Sequence, residues 1–397
     1  MEIRKVMSRG KINWGILGTG KIARLFASDL ALAADAKLFA IGSRNKEKAR
    51  AFGAEFSVPY RYGSYAELAG DPRVQAVYIA TPASAHKENM LLCLNAGKAV
   101  LCEKPFTVNA REAEEVVALA RAKNVFLMEA MWTRFLPLMV KLREVLAAGA
   151  IGEVSQFIAD LGTAARMDPE GRVFSAELGG GALLQKGVYL LSLASMILGA
   201  PIAVQSCTLL GDTGVDEHTG FLLKYAGPQM ASLICSVRVH SQRQAIVVGT
   251  DGRIVIHEPI ICPASLTLYR YSRRDGHHEL VDGKRYPKAV LSVLRFCKRS
   301  RFLRQLRERL PRLSDRFLHG VRSTKIYAPP SGEGLHYQAS EVMRCLRDGK
   351  VESDIMPLSE SLAIMRTVDQ IKQNGFKEKS ADFLKFGLQG VVCDPGS

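Results

Sequence analysis

Trp14-Gly15-Ile16-Leu17-Gly18-Thr19-Gly20-Lys21-Ile22-Ala23 decides the fold of this chain. Ile12–Leu17 is a short apolar run that ends in glycine and reads as a first buried strand. Lys21–Leu30 follows with Ile22, Leu25, Phe26 and Leu30 at helical spacing. The Gly18-x-Gly20-x-x-Ala23 pattern therefore sits on a strand–turn–helix boundary, the context a dinucleotide fingerprint requires. Gly18 permits the tight turn, and Gly20 lets backbone N–H groups approach a pyrophosphate. Ala23 allows close helix–strand packing, and Thr19, Lys21 and Ile22 complete the loop at a positively polarised helix start.

Working outward, strand and helix patterns alternate over the first ~130 residues, the pattern of a doubly wound parallel sheet. Expected strands are Lys37–Ile41, Ala76–Ala80, Ala99–Cys102 and Val125–Glu129. Expected helices are Asn45–Phe52, with Asn45 as cap, His86–Asn95, with Gly97 as stop signal, and Asn109–Lys123. From about Ser155 the texture changes. Gly179-Gly180-Gly181 opens an apolar helix, Ala182–Leu198. The runs Ala203–Leu210, Gly220–Tyr225, Met230–Val239, Ala245–Gly249, Arg253–Ile256 and Leu266–Tyr271 then read as a mostly antiparallel sheet, open on one face. Tyr337–Arg347 and Ser359–Gln373 read as closing helices. The fold expected is α/β: a Rossmann domain at 1–130 joined to an α+β domain at 131–397 for substrate and oligomer contacts.

The second strand ends at Gly42-Ser43-Arg44. An NAD site usually places an Asp or Glu there for the ribose 2′-hydroxyl, whereas Ser43 and Arg44 suit a 2′-phosphate. NADP is the expected cofactor, with NAD as the alternative. Glu103-Lys104-Pro105 stands at the end of another parallel strand, where such sheets place ligands. A lysine there can hydrogen-bond a substrate oxygen and move its proton, Glu103 can orient it, and Pro105 stiffens the turn. The other reading of this triplet is a surface ion pair.

Thr81-Pro82 followed by His86, Cys102-Glu103-Lys104-Pro105 and the glycine turn together resemble the glucose–fructose oxidoreductase, inositol dehydrogenase and rhizopine-catabolism (Gfo/Idh/MocA) family. Met128-Glu129-Ala130-Met131-Trp132-Thr133-Arg134-Phe135, Gly180-Gly181-Ala182-Leu183-Leu184 and Met356–Arg366 are similar to its dihydrodiol and xylose dehydrogenase branch. The resemblance implies hydride exchange between NAD(P) and a hydroxyl or carbonyl of a sugar, cyclitol or dihydrodiol. It implies Lys104 as catalytic lysine, Tyr189 as proton donor and Trp132, with Arg134, as substrate contacts. Thr81, Pro82 and His86 would lie along the cofactor, although His86 reads equally as an ordinary helix-start histidine. It also implies a homo-oligomer through the open sheet face.

One residue departs from that pattern. The branch reads Leu-Leu-Asp-x-Gly-x-Tyr, and here Gln185 stands in Leu183-Leu184-Gln185-Lys186-Gly187-Val188-Tyr189. An amide positions a hydroxyl but does not exchange a proton as a carboxylate does. Without the carboxylate, the Lys104 pKa is expected to fall. In a regular helix Lys186 faces about 100° away from Gln185, while Tyr189 shares its face. Three readings follow: an enzyme using Lys104 and Tyr189 with Gln185 tuning substrate choice, a different reaction of the same family, or an NADP-binding scaffold that has lost catalysis.

Composition limits the alternatives. The 397-residue chain is 47% hydrophobic and 23% charged, a globular balance. No apolar run is expected to reach the roughly 18–20 residues of a membrane span, and Met1–Lys11 lacks a secretory apolar stretch. The eight cysteines are scattered without a Cys-x-x-Cys pair and read as reduced thiols of a cytoplasmic protein. His218 and His277-His278 lack companions at metal-ligand spacing, so no metal site is expected. Of the net charge of +15, twelve units fall between Lys284 and Lys325. That basic insertion, about 274–330, carries Leu291, Leu294, Phe302, Leu303, Leu306 and Leu310 among arginines. It reads either as an amphipathic anchor for an anionic membrane surface or acidic partner, making the protein peripheral to the membrane, or as a lid or dimer arm. With no fold signature for it, nucleic acid is the weakest reading.

Overall fold

In the computed structural model, which describes residues 10–271, 321–374 and the strand 376–379, the first apolar run lies at the centre of a parallel sheet. Its strands are β1 (Ile12–Leu17), β2 (Ala36–Gly42), β3 (Tyr60–Tyr62), β4 (Ala76–Ile79), β5 (Ala99–Glu103) and β6 (Leu127–Ala130), in the order β3-β2-β1-β4-β5-β6. Strand order reverses between β1 and β4, so a crevice opens at their carboxyl ends. β4, β5 and β6 are buried throughout, as strands covered on both faces must be. The covering helices are α1 (Lys21–Leu30), α2 (Lys46–Glu55), α3 (Tyr65–Gly70), α4 (His86–Asn95) and α5 (Ala110–Lys123). Asn45, Ser64 and Asn109 cap α2, α3 and α5 by accepting from the N–H of Lys48, Glu67 and Glu112. β3 and α3 were not expected, because both are too short to show a period.

The second sheet contains β7 (Val154–Gly162), β8 (Ala203–Leu210), β9 (Asp216–Lys224), β10 (Met230–Ser236), β11 (Ala245–Gly249), β12 (Gly252–Ile256), β13 (Ser265–Tyr271), β14 (Val321–Tyr327) and β15 (Phe376–Lys379). They run in the order β14-β13-β12-β11-β7-β10-β9-β8-β15. Neighbours are antiparallel except β7–β10 and β8–β15. Phe157, Ala159, Phe221, Leu223, Leu233 and Val247 line the buried face, whereas Ile158, Leu222 and Ile234 on alternate positions are exposed. That alternation is the expected mark of a sheet covered on one side. β14 corrects the expected extent of the basic insertion, since 321–327 is a sheet strand paired with β13. The insertion up to residue 320, with its amphipathic-helix reading, lies outside the described residues.

A π-helical turn, Leu183–Gly187, leads into α7 (Val188–Leu198), which packs on β7. The stretch Ala176–Leu198 does reach spanning length and apolarity, against expectation. However, 72% of its most apolar window is buried in the fold, as in a core helix. α6 (Pro137–Ala147) follows the first sheet, and α8 (His336–Arg347) and α9 (Leu358–Asn374) close the chain. α8 returns to pack on α1 and β2. α9 lies against α5 and β6 on one side and α7 and β8 on the other, so it joins the two sheets.

Asp29, buried near the end of α1, secures this return. Its carboxylate accepts from the N–H of Glu333 at 2.9 Å and of Leu335 at 2.7 Å. Asp29→Ala would strand two donors at about 1–3 kcal/mol each. Chemical denaturation should show a loss of that order, and an unchanged midpoint would contradict this anchoring.

Candidate active site

The β1–α1 turn forms the floor of the crevice. Gly18 has φ +103°, and a Cβ there would stand 2.8 Å from the Ala80 carbonyl oxygen, so only glycine fits. Around Gly20, in contrast, a Cβ would meet nothing within 4 Å, which leaves room for a ligand. Gly20 caps α1 without a side-chain hydrogen bond, and the first turn holds no acid. Its N–H groups and positive dipole end are therefore open to a pyrophosphate beside Thr19, Lys21 and Ile22. At the end of β2, Ser43 Oγ accepts from the Asn45 N–H at 3.2 Å and keeps its own proton to donate. Arg44 is exposed, with no ion-pair partner among the described residues. This pair fits a 2′-phosphate, and the end of β2, Gly42-Ser43-Arg44-Asn45, carries no carboxylate for a ribose 2′-hydroxyl.

Thr81 and Pro82 form the turn after β4, but His86 does not face the crevice. It is buried, with Nδ1 2.8 Å from the Pro105 carbonyl and Nε2 3.0 Å from the Thr81 carbonyl. It thus joins the cofactor-side turn to the Lys104 turn from behind, and burial pushes its pKa down. This corrects the expectation of a cofactor contact.

Lys104 emerges from β5 at the crevice mouth. Its Nζ donates to the main-chain carbonyl of Gln185 at 3.0 Å and lies 4.9 Å from the centre of the Tyr189 ring. Burial pushes its pKa down to about 8; Glu103 opposes that shift, and Arg172 and Lys186 reinforce it. The direction is the one expected from the sequence, but burial rather than the missing carboxylate is the leading cause. Behind it, Glu103 accepts from Tyr78 Oη at 2.5 Å and from the Lys104 N–H at 3.2 Å. Tyr78 stacks on Phe26 of α1 with ring centres 3.7 Å apart. Glu129, which sequence reasoning left without a role, supports the same turn. It accepts from the Phe106 N–H at 3.2 Å and Ser361 Oγ at 2.8 Å, and burial raises its pKa to about 7.

The π turn changes the reading of Gln185. Its carboxamide donates to the Gly179 carbonyl at 3.1 Å, so its side chain does not engage Lys104; its backbone does. The wider i→i+5 register also changes the angular spacing assumed for a regular helix. Lys186 is half-buried in this turn, and its charge is among those that push the Lys104 pKa down. Asp216 fixes the start of this turn: its carboxylate accepts from the Leu183 N–H at 2.6 Å and Thr219 Oγ1 at 2.9 Å. Gly181, at φ +105°, makes room for it, since a Cβ there would lie 2.1 Å from Asp216 Oδ1. Burial pushes the Asp216 pKa up to about 6.

Tyr189 Oη accepts from Trp132 Nε1 at 3.1 Å, and burial with the nearby Glu103 charge holds the phenol protonated. Trp132 thus borders the pocket through Tyr189. Arg134 does not reach it. Its guanidinium, 1% exposed, makes a two-pronged pair with Glu360 at 2.5 and 2.8 Å and bonds Ser192 and the Ile355 carbonyl. Buried cations need such partners, so Arg134 anchors α7 to the start of α9 instead of binding substrate. Sequence reasoning also passed over Arg172, on the loop after β7, where no periodic pattern marks a function. Its charge acts on Glu103, Lys104, Lys186 and Tyr189.

Comparison with known proteins agrees with this architecture. Residues 12–131 match the oxidoreductase family with an NAD-binding Rossmann fold, and residues 139–255 match the GFO/IDH/MocA C-terminal domain. Trans-1,2-dihydrobenzene-1,2-diol dehydrogenase of Mus musculus is 35% identical over 91% of this chain and 96% of its own length. The Homo sapiens protein of that name is 34% identical over the same shares. KijD10, a 3-ketoreductase from Actinomadura kijaniata solved with NADP and TDP-benzene, has a TM-score of 0.72 at 23% identity, covering 93% of this chain and 99% of its own. Aldose-aldose oxidoreductase from Caulobacter crescentus, solved with glycerol, has a TM-score of 0.72 at 22% identity, covering 92% and 97%.

Arg134→Ala would leave Glu360 without its buried partner, at about 3–5 kcal/mol. Thermal or denaturant unfolding should show that loss. Full stability combined with a selective rise in substrate KM would restore Arg134 to the pocket.

Proposed function

The chain belongs to the GFO/IDH/MocA oxidoreductase family, and we propose that it moves hydride between NADP and the carbinol carbon of a sugar, cyclitol or dihydrodiol. One observation carries the reading. The half-buried Lys104 ammonium, aimed by the Gln185 carbonyl and lying beside Tyr189, stands at the mouth of a crevice whose floor is a helix start free of side-chain caps and acids. Bound nicotinamide supplies the hydride acceptor or donor. Gly18, Thr19, Gly20, Lys21 and Ile22 would hold the pyrophosphate, and Ser43 and Arg44 the 2′-phosphate that distinguishes NADP from NAD. The NADP bound to KijD10 supports that choice, and the named activity of the Mus musculus relative supports a vicinal diol or similar polyol.

In the oxidative direction neutral Lys104 accepts the proton of the substrate hydroxyl as the C–H bond yields hydride. In the reductive direction the ammonium returns that proton to the carbonyl oxygen. Tyr189, held protonated, donates a hydrogen bond to the same oxygen and resists its drift from Lys104. Gln185 needs no carboxylate in this scheme, because the group that orients Lys104 is a main-chain carbonyl. That argues for a working enzyme rather than a scaffold. The exposed apolar face formed by Ile158, Leu222 and Ile234 supports a homo-oligomer through the open sheet.

Three outcomes are expected. Lys104→Ala should cut turnover by about 10²–10⁴-fold, the usual worth of a positioned acid–base group, with NADPH binding retained. Arg44→Ala should weaken NADPH binding by about 10–100-fold, equivalent to one charge-assisted contact, and leave NADH binding unchanged. With the Lys104 pKa near 8, kcat/KM for oxidation should rise through pH 8 and level off above it, and that for reduction should fall. Stopped-flow absorbance of the nicotinamide band reads all three. A flat profile, or Lys104→Ala at full rate, removes Lys104 from the chemistry.

A further inference from the structure

Gln185 ties together the lysine turn, the π turn and the loop that precedes it. Its main-chain carbonyl accepts from the Lys104 ammonium at 3.0 Å, and its N–H donates to the Gly181 carbonyl at 3.0 Å. Its carboxamide donates to the Gly179 carbonyl at 3.1 Å. Gly179 is buried, and there the loop rests on the first domain. At φ +76°, a Cβ on Gly179 would stand 3.0 Å from Ala83 Cβ and 3.1 Å from Val108 Cγ1. Ala83 opens the short turn Ala83–Ala85 after β4, on the cofactor side, and Val108 follows the Lys104 turn.

These contacts close a ring. His86 joins the Thr81 and Pro105 carbonyls from behind, at 3.0 and 2.8 Å. From the front, Lys104 holds Gln185, Gln185 holds Gly179, and Gly179 is seated against Ala83. The front path runs through the residue that departs from the Leu-Leu-Asp-x-Gly-x-Tyr pattern, and its chemistry requires an amide. A buried carbonyl needs a donor, and an ionised carboxylate has none. An Asp or Glu at 185 would set a second acceptor against the Gly179 carbonyl, and an Asp would also be too short.

We propose that Gln185 is a positioning residue: its carboxamide clasps Gly179, seats the loop on the cofactor-side turn, and thereby fixes the main-chain carbonyl that holds Lys104. The proposal rests on the hydride-transfer reading and deepens it, because the residue in the carboxylate's place gains a role of its own. Gln185 acts through Lys104 and not on the substrate. Loosening the clasp admits water to the ammonium, which favours the charged form, and lets the geometry of proton transfer slip.

The test uses the full-length chain and two substitutions that loosen the clasp from opposite ends. Gln185→Met keeps an unbranched side chain without a donor, whereas Gly179→Ala leaves Gln185 intact and pushes a methyl against Ala83. Circular dichroism establishes that each variant is folded. The Lys104 midpoint, read by NMR in protein with ¹³C-methylated lysines, should rise from near pH 8 to about pH 9 in both. Turnover with NADP is followed on trans-1,2-dihydrobenzene-1,2-diol, D-xylose and myo-inositol. It should fall about 10–100-fold in kcat with little change in KM. The double variant should be no worse than the poorer single one, because both substitutions break the same contact. Gln185→Glu should lose turnover as Gln185→Met does, since it returns a carboxylate but not the donor. A midpoint that rises in both variants, while wild-type protein turns over none of the probes, would support the clasp and count against the hydride-transfer reading. An unmoved midpoint, or faster turnover in Gln185→Glu than in the wild type, would overturn the clasp and leave the hydride-transfer reading intact.

Discussion

A hydrogen bond from the Lys104 ammonium to the Gln185 main-chain carbonyl, 3.0 Å long, is the contact on which the site depends. Lys104 belongs to the end of a parallel strand in the first sheet, and Gln185 to a π turn carried by a helix on the second. The bond therefore requires both sheets in place, and it holds the lysine half-buried at their junction. Burial in turn lowers the cost of losing the proton, because water no longer stabilises the charged form. One contact thus sets both the position and the protonation balance of the group.

The surrounding structure serves to hold that junction. On the first side, Phe26 stacks on Tyr78, Tyr78 bonds Glu103, and Glu103 receives the Lys104 N–H. This chain links the nucleotide-facing helix to the lysine turn. On the second side, Asp216 caps the start of the π turn. Between them, α9 packs on both sheets, and its first turn supplies Ser361 to Glu129 and Glu360 to Arg134. Each of these carboxylates is buried or partly buried and each is satisfied, as a polar network in a low-dielectric interior must be.

Much of this was legible in the residues. The glycine turn follows a strand and opens a helix, so local spacing alone placed it. Alternating strands and helices, and then a succession of strands, marked the two sheets because each carries its own period. What escaped the sequence were features without a period. The π turn looks like ordinary helix in composition, yet its i→i+5 register departs from the spacing assumed for a regular helix. Arg134 reads as a polar residue beside the pocket-lining Trp132, but its partner Glu360 lies 226 positions away. His86 lies where a cofactor contact was expected, yet its ring is turned inward to two carbonyls. Arg172 falls on an irregular loop, where its effect on the charge of Lys104 depends on the tertiary fold.

The environment of Lys104 is the centre of this account. In protein with ¹³C-methylated lysines, NMR titration of its resonance, identified by its loss in Lys104→Arg, measures that environment directly. The account predicts a midpoint near pH 8, below the ordinary lysine value of 10.5. A midpoint at the ordinary value would mean that Lys104 is solvated and free of the Gln185 carbonyl, and would contradict the site described.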